Sequence, residues 1–305
     1  MEGSQASDTI EVDGRAIKVT HIDRVLYPED NLLKADVIAY YVQVAPRLLP
    51  HVSGRPVTRI RWPQGVAGEP FFEKNLPSHA PDWLRRVTIE HSDGPITYPF
   101  VEGAAGLAWL AQHSALELHV PQWRWQSADD NDSDDADNEN AEAPSGRHVD
   151  RLVIDLDPGP GVTLDHCAEV AVWLRDRLAD SGLVVMPVTS GSKGLHLYAR
   201  WPREVTTTSS DFAKAAANAA VAAMPSLVTA TMTKQQRKGR VFIDWSQNSR
   251  AKTTVAPYSL RGRARPWVAA PRSWVDVEAG GLTQLLWSEV LQWPADADPL
   301  AVLDA

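Results

Sequence analysis

Val153, Ile154 and Leu156 mark a short buried strand that Pro158-Gly159-Pro160-Gly161 stops abruptly. Apolar runs at 183–188 and 195–198 predict two more strands, flanking Thr189-Ser190-Gly191-Ser192-Lys193-Gly194, and 241–245 and 254–260 predict another two. Segment 56–62 alternates, with Val57, Arg59 and Arg61 on one face and Thr58, Ile60 and Trp62 on the other. Segments 87–91 and 96–101 form a hairpin across Ser92-Asp93-Gly94-Pro95, and Asp13-Gly14 turns a smaller one within 11–20. A strand is also expected at 117–122. Helical spacing at Val37, Tyr41, Val44 and Leu48 predicts a helix over 34–49, ended by Pro50. Further helices are expected at 107–116, 163–178, 211–224 and 282–291, the second with Gly182 just past its end. Strands and helices mix without a strict βαβ rhythm, so an α+β fold is favoured over a doubly wound sheet.

Composition narrows the class. The 305 residues suffice for one large domain or two smaller ones, and no apolar run reaches the roughly 20 residues of a membrane span. Residues 1–8 lack a signal-peptide core. A single cysteine, Cys167, excludes an internal disulfide and a zinc site built on several thiolates. A cytoplasmic protein is expected. The formal charge is −9, but eight acids and no base fall within 129–142; without those eight it is −1. The acidic, low-complexity stretch 127–146 is expected to be a disordered insertion. In the remainder, bases cluster at Arg55, Arg59 and Arg61, at Lys234, Arg237, Lys238 and Arg240, and at Arg261, Arg263 and Arg265. Such clusters allow local phosphate binding that bulk charge hides, or are solvated faces.

The chemistry begins with Asp155 and Asp157, which project to one face of their strand at i and i+2. Carboxylates that close raise one another's pKa unless a cation neutralises them. Oxygen ligands of this kind hold magnesium or manganese; a solvated pair of strand-end acids is the plainer alternative. Two glycines in Ser190-Gly191-Ser192-Lys193-Gly194-Leu195-His196 let successive N–H groups face one concavity, a nest for phosphate with Lys193 at its tip, or else an ordinary hairpin. Asp244 is an acid inside an apolar strand, which calls for a metal or a partner arginine. Arg261 and Arg263 fall on one side of a predicted strand, placed to clamp a polyphosphate or to be solvated. Together these parts meet the needs of metal-assisted nucleotidyl transfer, in which two metals roughly 4 Å apart orient the attacking hydroxyl and stabilise the leaving pyrophosphate. A hydrolase with a positioned water stays open.

The ordered set Asp155-Leu156-Asp157, Ser190 to His196 and Ile243-Asp244-Trp245 resembles the archaeo-eukaryotic primase superfamily, and more narrowly the polymerase domain of bacterial DNA ligase D. Arg24-Val25-Leu26-Tyr27-Pro28, Phe71-Phe72-Glu73-Lys74, His119-Val120-Pro121-Gln122-Trp123 and Ala256-Pro257-Tyr258-Ser259-Leu260-Arg261 extend the likeness over about 17–290. The resemblance implies a single domain over 1–305, with an RRM-like catalytic sheet packed against helices and a smaller N-terminal α/β module. It implies a primase-polymerase that adds ribonucleotides preferentially at gaps and double-strand-break ends during non-homologous end joining.

By the same resemblance, Asp155, Asp157 and Asp244 hold two manganese or magnesium ions. Ser190, Lys193, His196, Arg261 and Arg263 bind the nucleoside triphosphate, with His119 near its sugar. Lys34 and Arg24 bind the 5′-phosphate of the DNA, Arg24 standing where relatives carry lysine. Phe71 and Phe72 stack on bases or form a buried strand pair, and Arg237 helps bridge two DNA ends. Ku and a DNA ligase are the implied partners, with no membrane. No K-x-D-G adenylation motif occurs, and the acidic stretch departs from the family's pattern. The competing reading is a non-catalytic end-binding and bridging module.

Overall fold

The computed structural model describes residues 7–126, 146–202, 207–294 and 297–303. The expectation for 127–146 therefore lies outside the described residues, save at Gly146.

Val153, Ile154 and Leu156 do lie in a buried strand, Arg151–Pro158. It sits inside a six-stranded sheet ordered Val228–Thr229, Val241–Asp244, Arg151–Pro158, Leu195–Arg200, Val185–Thr189 and Ala270–Pro271. Every neighbouring pair is antiparallel except the first, which is parallel. Period-two alternation sends Leu152, Ile154, Leu156, Leu195, Leu197 and Ile243 to one face, where helices Leu164–Ala179 and Ser209–Ala223 cover them. The second helix presents Ala213, Ala216, Ala217 and Ala220, whose small side chains let it lie close to the sheet. Its first turn is capped by Thr208, whose hydroxyl accepts from Asp211 N at 3.1 Å. At about 1.5–3 kcal/mol for each large aliphatic side chain buried, this layer anchors the strand that carries the acids.

A second sheet, ordered Thr254–Val255, Ala115–Val120, Thr58–Arg61 and Phe71–Glu73, packs with helices Lys34–Gln43, Ala45–Val52 and Ala104–Gln112 around a larger core. The mixed architecture is the expected α+β class. The Asp13-Gly14 hairpin is present, with both residues at positive φ (51° and 69°), the conformation a tight two-residue turn requires. Among the described residues no helix is long and apolar enough to cross a membrane.

Three expectations are corrected. The helix predicted over 34–49 breaks at Val44, because Pro46 lacks the N–H that would continue it and instead sits in the first turn of a new helix, which runs past Pro50 to Val52. The strand predicted over 254–260 stops at Val255; Tyr258 takes φ 66°, with its hydroxyl donating to Asp298 Oδ1 at 2.7 Å. The helix predicted over 282–291 is a strand, Leu285–Leu286, followed by a single helical stretch, Trp287–Leu291.

Tyr41 ties segments of the second core together. Its buried hydroxyl donates to Leu116 O at 2.6 Å and accepts from Leu260 N at 3.1 Å. Tyr41→Phe leaves a carbonyl and an amide unpaired in the core, so it is expected to cost about 1–3 kcal/mol. Urea denaturation measures this. Unchanged stability would show that both groups find other partners.

Candidate functional site

Alternation on the central strand points Asp155 and Asp157 away from the helices, together with Val153. In the antiparallel register Asp155 stands opposite His196 on one side and Asp244 on the other, while Asp157 stands opposite Phe242. Three carboxylates from two adjacent strands thus gather at one end of the sheet. Gln247 Nε2 donates to Asp155 Oδ2 at 3.2 Å and to Asp244 Oδ2 at 3.3 Å, bridging two of them. Asp244 Oδ1 accepts from Ser246 N at 3.0 Å and from Ser246 Oγ at 2.5 Å. Asp155 Oδ1 is buried without a hydrogen bond, 3.4 Å from His196 Nε2. Among the described residues no lysine or arginine forms an ion pair with any of the three, so the partner-arginine alternative for Asp244 does not hold.

Crowding shows in the electrostatics. Burial, then the charges of Asp155 and Asp244, push Asp157 up to about 6, against the opposing pull of His196 and Arg237. Among the described residues no group of three or more His, Cys, Asp or Glu side chains stands ready to hold a metal ion. The oxygens of Asp244 are turned to Ser246 and Gln247. The donor set itself, all hard oxygen with one buried oxygen lacking a hydrogen bond, fits magnesium or manganese.

The loop after Val185–Thr189 closes beside these acids. Gly191 has φ 65°, and a Cβ at Gly194 would run into the Leu156 carbonyl, so the loop can lie against the central strand only with glycine there. The expected open nest is corrected. Ser192 N and Gly194 N donate to Ser190 Oγ at 3.3 and 3.1 Å, and Gly191 N donates to Gln284 Oε1 at 2.7 Å. The loop's own hydroxyl and a distant amide satisfy these groups, leaving exposed Lys193 as its charged feature. Arg261 Nη1 donates to Ser190 O at 2.5 Å, and its Nε pairs with Glu117 Oε1 at 3.1 Å. His119 Nε2 is 2.8 Å from Glu117 Oε2. Arg263 does not share a strand face with Arg261: it is exposed in a turn, its N–H donating to Arg261 O at 2.9 Å.

Of the remaining predicted residues, Lys34, Arg24, Phe71 and Phe72 fall elsewhere and Arg237 lies near Asp157. Lys34 is only 5% exposed; its Nζ donates to Thr20 O at 2.8 Å. Burial, then Arg24 and Arg61, pull it down to about 8. Arg24 Nη1 donates to Pro63 O at 2.5 Å. Nearby His113 is lowered to about 4 chiefly by burial, with Arg61, His79 and Lys34 adding repulsion. Lys34 has no carboxylate partner among the described residues, whereas Arg61 pairs with Glu73. Phe71 and Phe72 are 54% and 59% exposed on an edge strand, which excludes the buried-pair alternative. Arg237 lies inward, its guanidinium carbon 3.6 Å from the Phe242 ring centroid and its Nη2 donating to Met232 O at 2.9 Å.

Sequence reasoning missed Glu117, Gln247 and Gln284. Glu117 carried the signal that marked Asp244, an acid between apolar neighbours in a strand; the two glutamines carried none.

The sequence pattern of the family described as "LigD, primase-polymerase domain" matches residues 33–299. The chain is 50% identical over 295 residues to the multifunctional non-homologous end joining DNA repair protein LigD of Mycobacterium tuberculosis, covering 95% of this chain and 37% of that protein. It is 30% identical over 274 residues to the bifunctional non-homologous end joining protein LigD of Bacillus subtilis, covering 89% and 41%. The chain thus spans well under half the length of these relatives. Among solved structures it is similar to the polymerase domain from M. tuberculosis ligase D in complex with DNA, with TM-score 0.85 and 49% identity over 94% of this chain and 98% of that one.

The crowded carboxylates carry a stability cost of definite sign. Asp157 is raised from 3.8 to about 6, so between those values the folded chain holds the proton more tightly than the unfolded one. Its contribution to stability therefore falls as pH rises through that window, and above it the full repulsion is present. Asp157→Asn is expected to stabilise the protein at pH 7.5 by on the order of 1 kcal/mol, solvent screening limiting the gain because the side chain, though partly desolvated, keeps contact with water. The gain should shrink at pH 4.5. Urea denaturation in EDTA at both pH values checks this, and a loss of stability at pH 7.5 would show that the repulsion is already compensated.

Proposed function

The chain belongs to the primase-polymerase domain family of LigD, and on that premise we propose that it is a metal-dependent nucleotidyltransferase. Its reaction is template-directed addition of nucleotides, ribonucleotides in preference, at gaps and double-strand-break ends during non-homologous end joining. One observation carries the reading: Asp155, Asp157 and Asp244 share one end and one face of the sheet, with no lysine or arginine ion-paired to them among the described residues.

Asp155, Asp157 and Asp244 would hold manganese or magnesium, two ions per site, which when bound supply charge neutralisation and activation of a primer hydroxyl. Lys193, Arg261 and Arg263 bind and orient the triphosphate, with Ser190 and His196 lining the same loop and strand. His119 faces the sugar. Gln247, which bridges Asp155 and Asp244, would have to give up those hydrogen bonds for the two carboxylates to hold an ion. Exposed Phe71 and Phe72 offer sequence-tolerant stacking to unpaired bases. Lys34, buried, and Arg24, half-buried near it, bind a 5′-phosphate. Arg237, beside Asp157, contributes to holding DNA ends. Partners are DNA with 5′-phosphorylated gaps or ends, nucleoside triphosphates, Ku and a DNA ligase; the setting is the cytoplasm, at the nucleoid.

Primer extension with manganese and each of the eight ribo- and deoxynucleoside triphosphates tests the reaction. Asp155→Ala and Asp244→Ala are each expected to lower addition on the order of a thousandfold, the rate equivalent of several kcal/mol, with DNA binding retained. Unchanged extension would leave the end-bridging module as the better reading.

Lys34 gives a separate handle. Its charge at pH 7 is held against burial and two arginines, and a phosphate dianion relieves that strain. The affinity advantage of a 5′-phosphorylated gap over a dephosphorylated one should therefore decline as pH rises through about 8, where the free protein's lysine loses its proton. Lys34→Ala should abolish both the advantage and its pH dependence, as fluorescence anisotropy at pH 7 and 9 would show. Equal losses on both substrates would reduce the lysine to a general electrostatic contact.

A further inference from the structure

One side chain from far along the chain holds the loop beside the acids at both of its glycines. Gln284 Oε1 accepts from Gly191 N at 2.7 Å, and Gln284 Nε2 donates to Gly194 O at 3.1 Å. Ser190 N donates to the same carbonyl at 3.0 Å. Chemistry fixes which way the amide faces, because a peptide N–H needs an acceptor and a peptide carbonyl needs a donor. Gln284 is itself braced from both directions. Two residues before it, Leu282 is buried, and its N–H donates at 2.8 Å to Asp165 Oδ1 in the first turn of helix Leu164–Ala179. Thr283 O accepts from Arg272 Nη1 at 2.7 Å. Directly after it, Leu285 and Leu286 pair antiparallel with Val268 and Trp267. Residues 282–286 thus run as a strap from the helix to that strand, and half-buried Gln284 reaches from it to the loop.

We propose that Gln284 is a positioning residue, whose amide clamps the loop from Ser190 to Gly194 in advance and so places Lys193 to receive a triphosphate. Two of the five loop residues are glycine, the residue with the most backbone freedom to lose on ordering. A clamp moves that loss from binding into folding, which raises affinity by preorganisation. The opposite role, an amide plugging a phosphate site, fits the contacts less well. Gln284 occupies one N–H of the loop; those of Ser192 and Gly194 go to Ser190 Oγ. Its other end covers a carbonyl that would repel an anion. Removing the amide therefore uncovers a donor and an acceptor together, with no gain for phosphate. The inference rests on the nucleotidyltransferase reading for its ligand, but not for the clamp.

Two measurements separate these layers. Amide hydrogen exchange of the whole chain without nucleotide, followed by NMR, is expected to show the Gly191 N–H protected. In Gln284→Met, which keeps the length and loses both hydrogen bonds, that protection should vanish while the amides of Leu195–Arg200 keep theirs. Exchange of Gly191 at the rate of an unprotected amide in the wild type overturns the proposal, and this result needs neither activity nor a folded variant. Calorimetric titration with ATP and manganese then reads the ligand. Gln284→Met is expected to bind about tenfold more weakly, the worth of one polar hydrogen bond. In primer extension the same loss should appear in KM for the nucleotide, with kcat and KM for DNA little changed. Gln284→Glu, which keeps the acceptor but sets a carboxylate against Gly194 O, should bind no better than Gln284→Met. Unchanged affinity in Gln284→Met makes the amide a bystander, and tighter binding makes it a plug; either overturns the proposal. So does a fall in kcat with KM unmoved, the mark of a merely structural residue. If the wild type neither binds the triphosphate nor adds nucleotide, the proposed function fails, while exchange still decides the clamp.

Discussion

Antiparallel register is the constraint on which the site depends. It sets Asp155 between His196 and Asp244, and with Asp157 two residues along it concentrates three like charges where strands lie under 6 Å apart. Repulsion on this scale works against the fold. It is tolerated because the opposite face of the same strand is buried against two helices, so the sheet is held from beneath while its upper face stays strained. Burial and the neighbouring carboxylates together raise Asp157 to about 6. Sites that bind charge are commonly built this way, stable in the layer below and unsatisfied in the layer above.

The second sheet supplies what the first lacks. Arg261 is the hinge between them: Tyr27 Oη donates to its carbonyl at 2.8 Å, Glu117 pairs with its Nε, and its Nη1 reaches the Ser190 carbonyl of the loop beside the acids. Gly262 must lack a side chain because a Cβ there would enter the Trp62 ring. Any side chain at this position would have to displace the Trp62 ring. One arginine couples the geometry of the carboxylate sheet to that of His119.

What was legible in the sequence divides along range. Period-two alternation placed Asp155 with Asp157, and His196 with Tyr198 on one side of their strand, correctly, because both are local. That Asp244 would pair with Asp155 was carried only by the resemblance, since nothing local specifies which distant strand lies alongside. Pro50 misled because proline was taken as a stop, whereas Pro46 decided the break by opening a new helix. The strand expected to reach Leu260 failed at Tyr258, whose positive φ is imposed by contacts with Asp298 and Ala269, remote in sequence. The nest at Ser190 was legible as a turn but not as a filled one, because its partner Gln284 comes from far along the chain.

Counting bases was a poorer guide than counting their partners. Arg59 and Arg61 answer to Glu73, Arg55 and Arg124 to Asp150, and Arg265 to Asp30, so much of the clustered charge is spent inside the protein. Lys34 and Lys193 have no such carboxylate among the described residues, one deeply buried and one at a loop tip. A lysine buried among arginines is unstable in its charged form, and the protein offers it only a carbonyl. An external anion would complete it. The negative total of −9 therefore says little about affinity for nucleic acid. What governs it is which cations folding leaves uncompensated, and among the described residues Lys193 on the loop beside the acids and buried Lys34 are two of them.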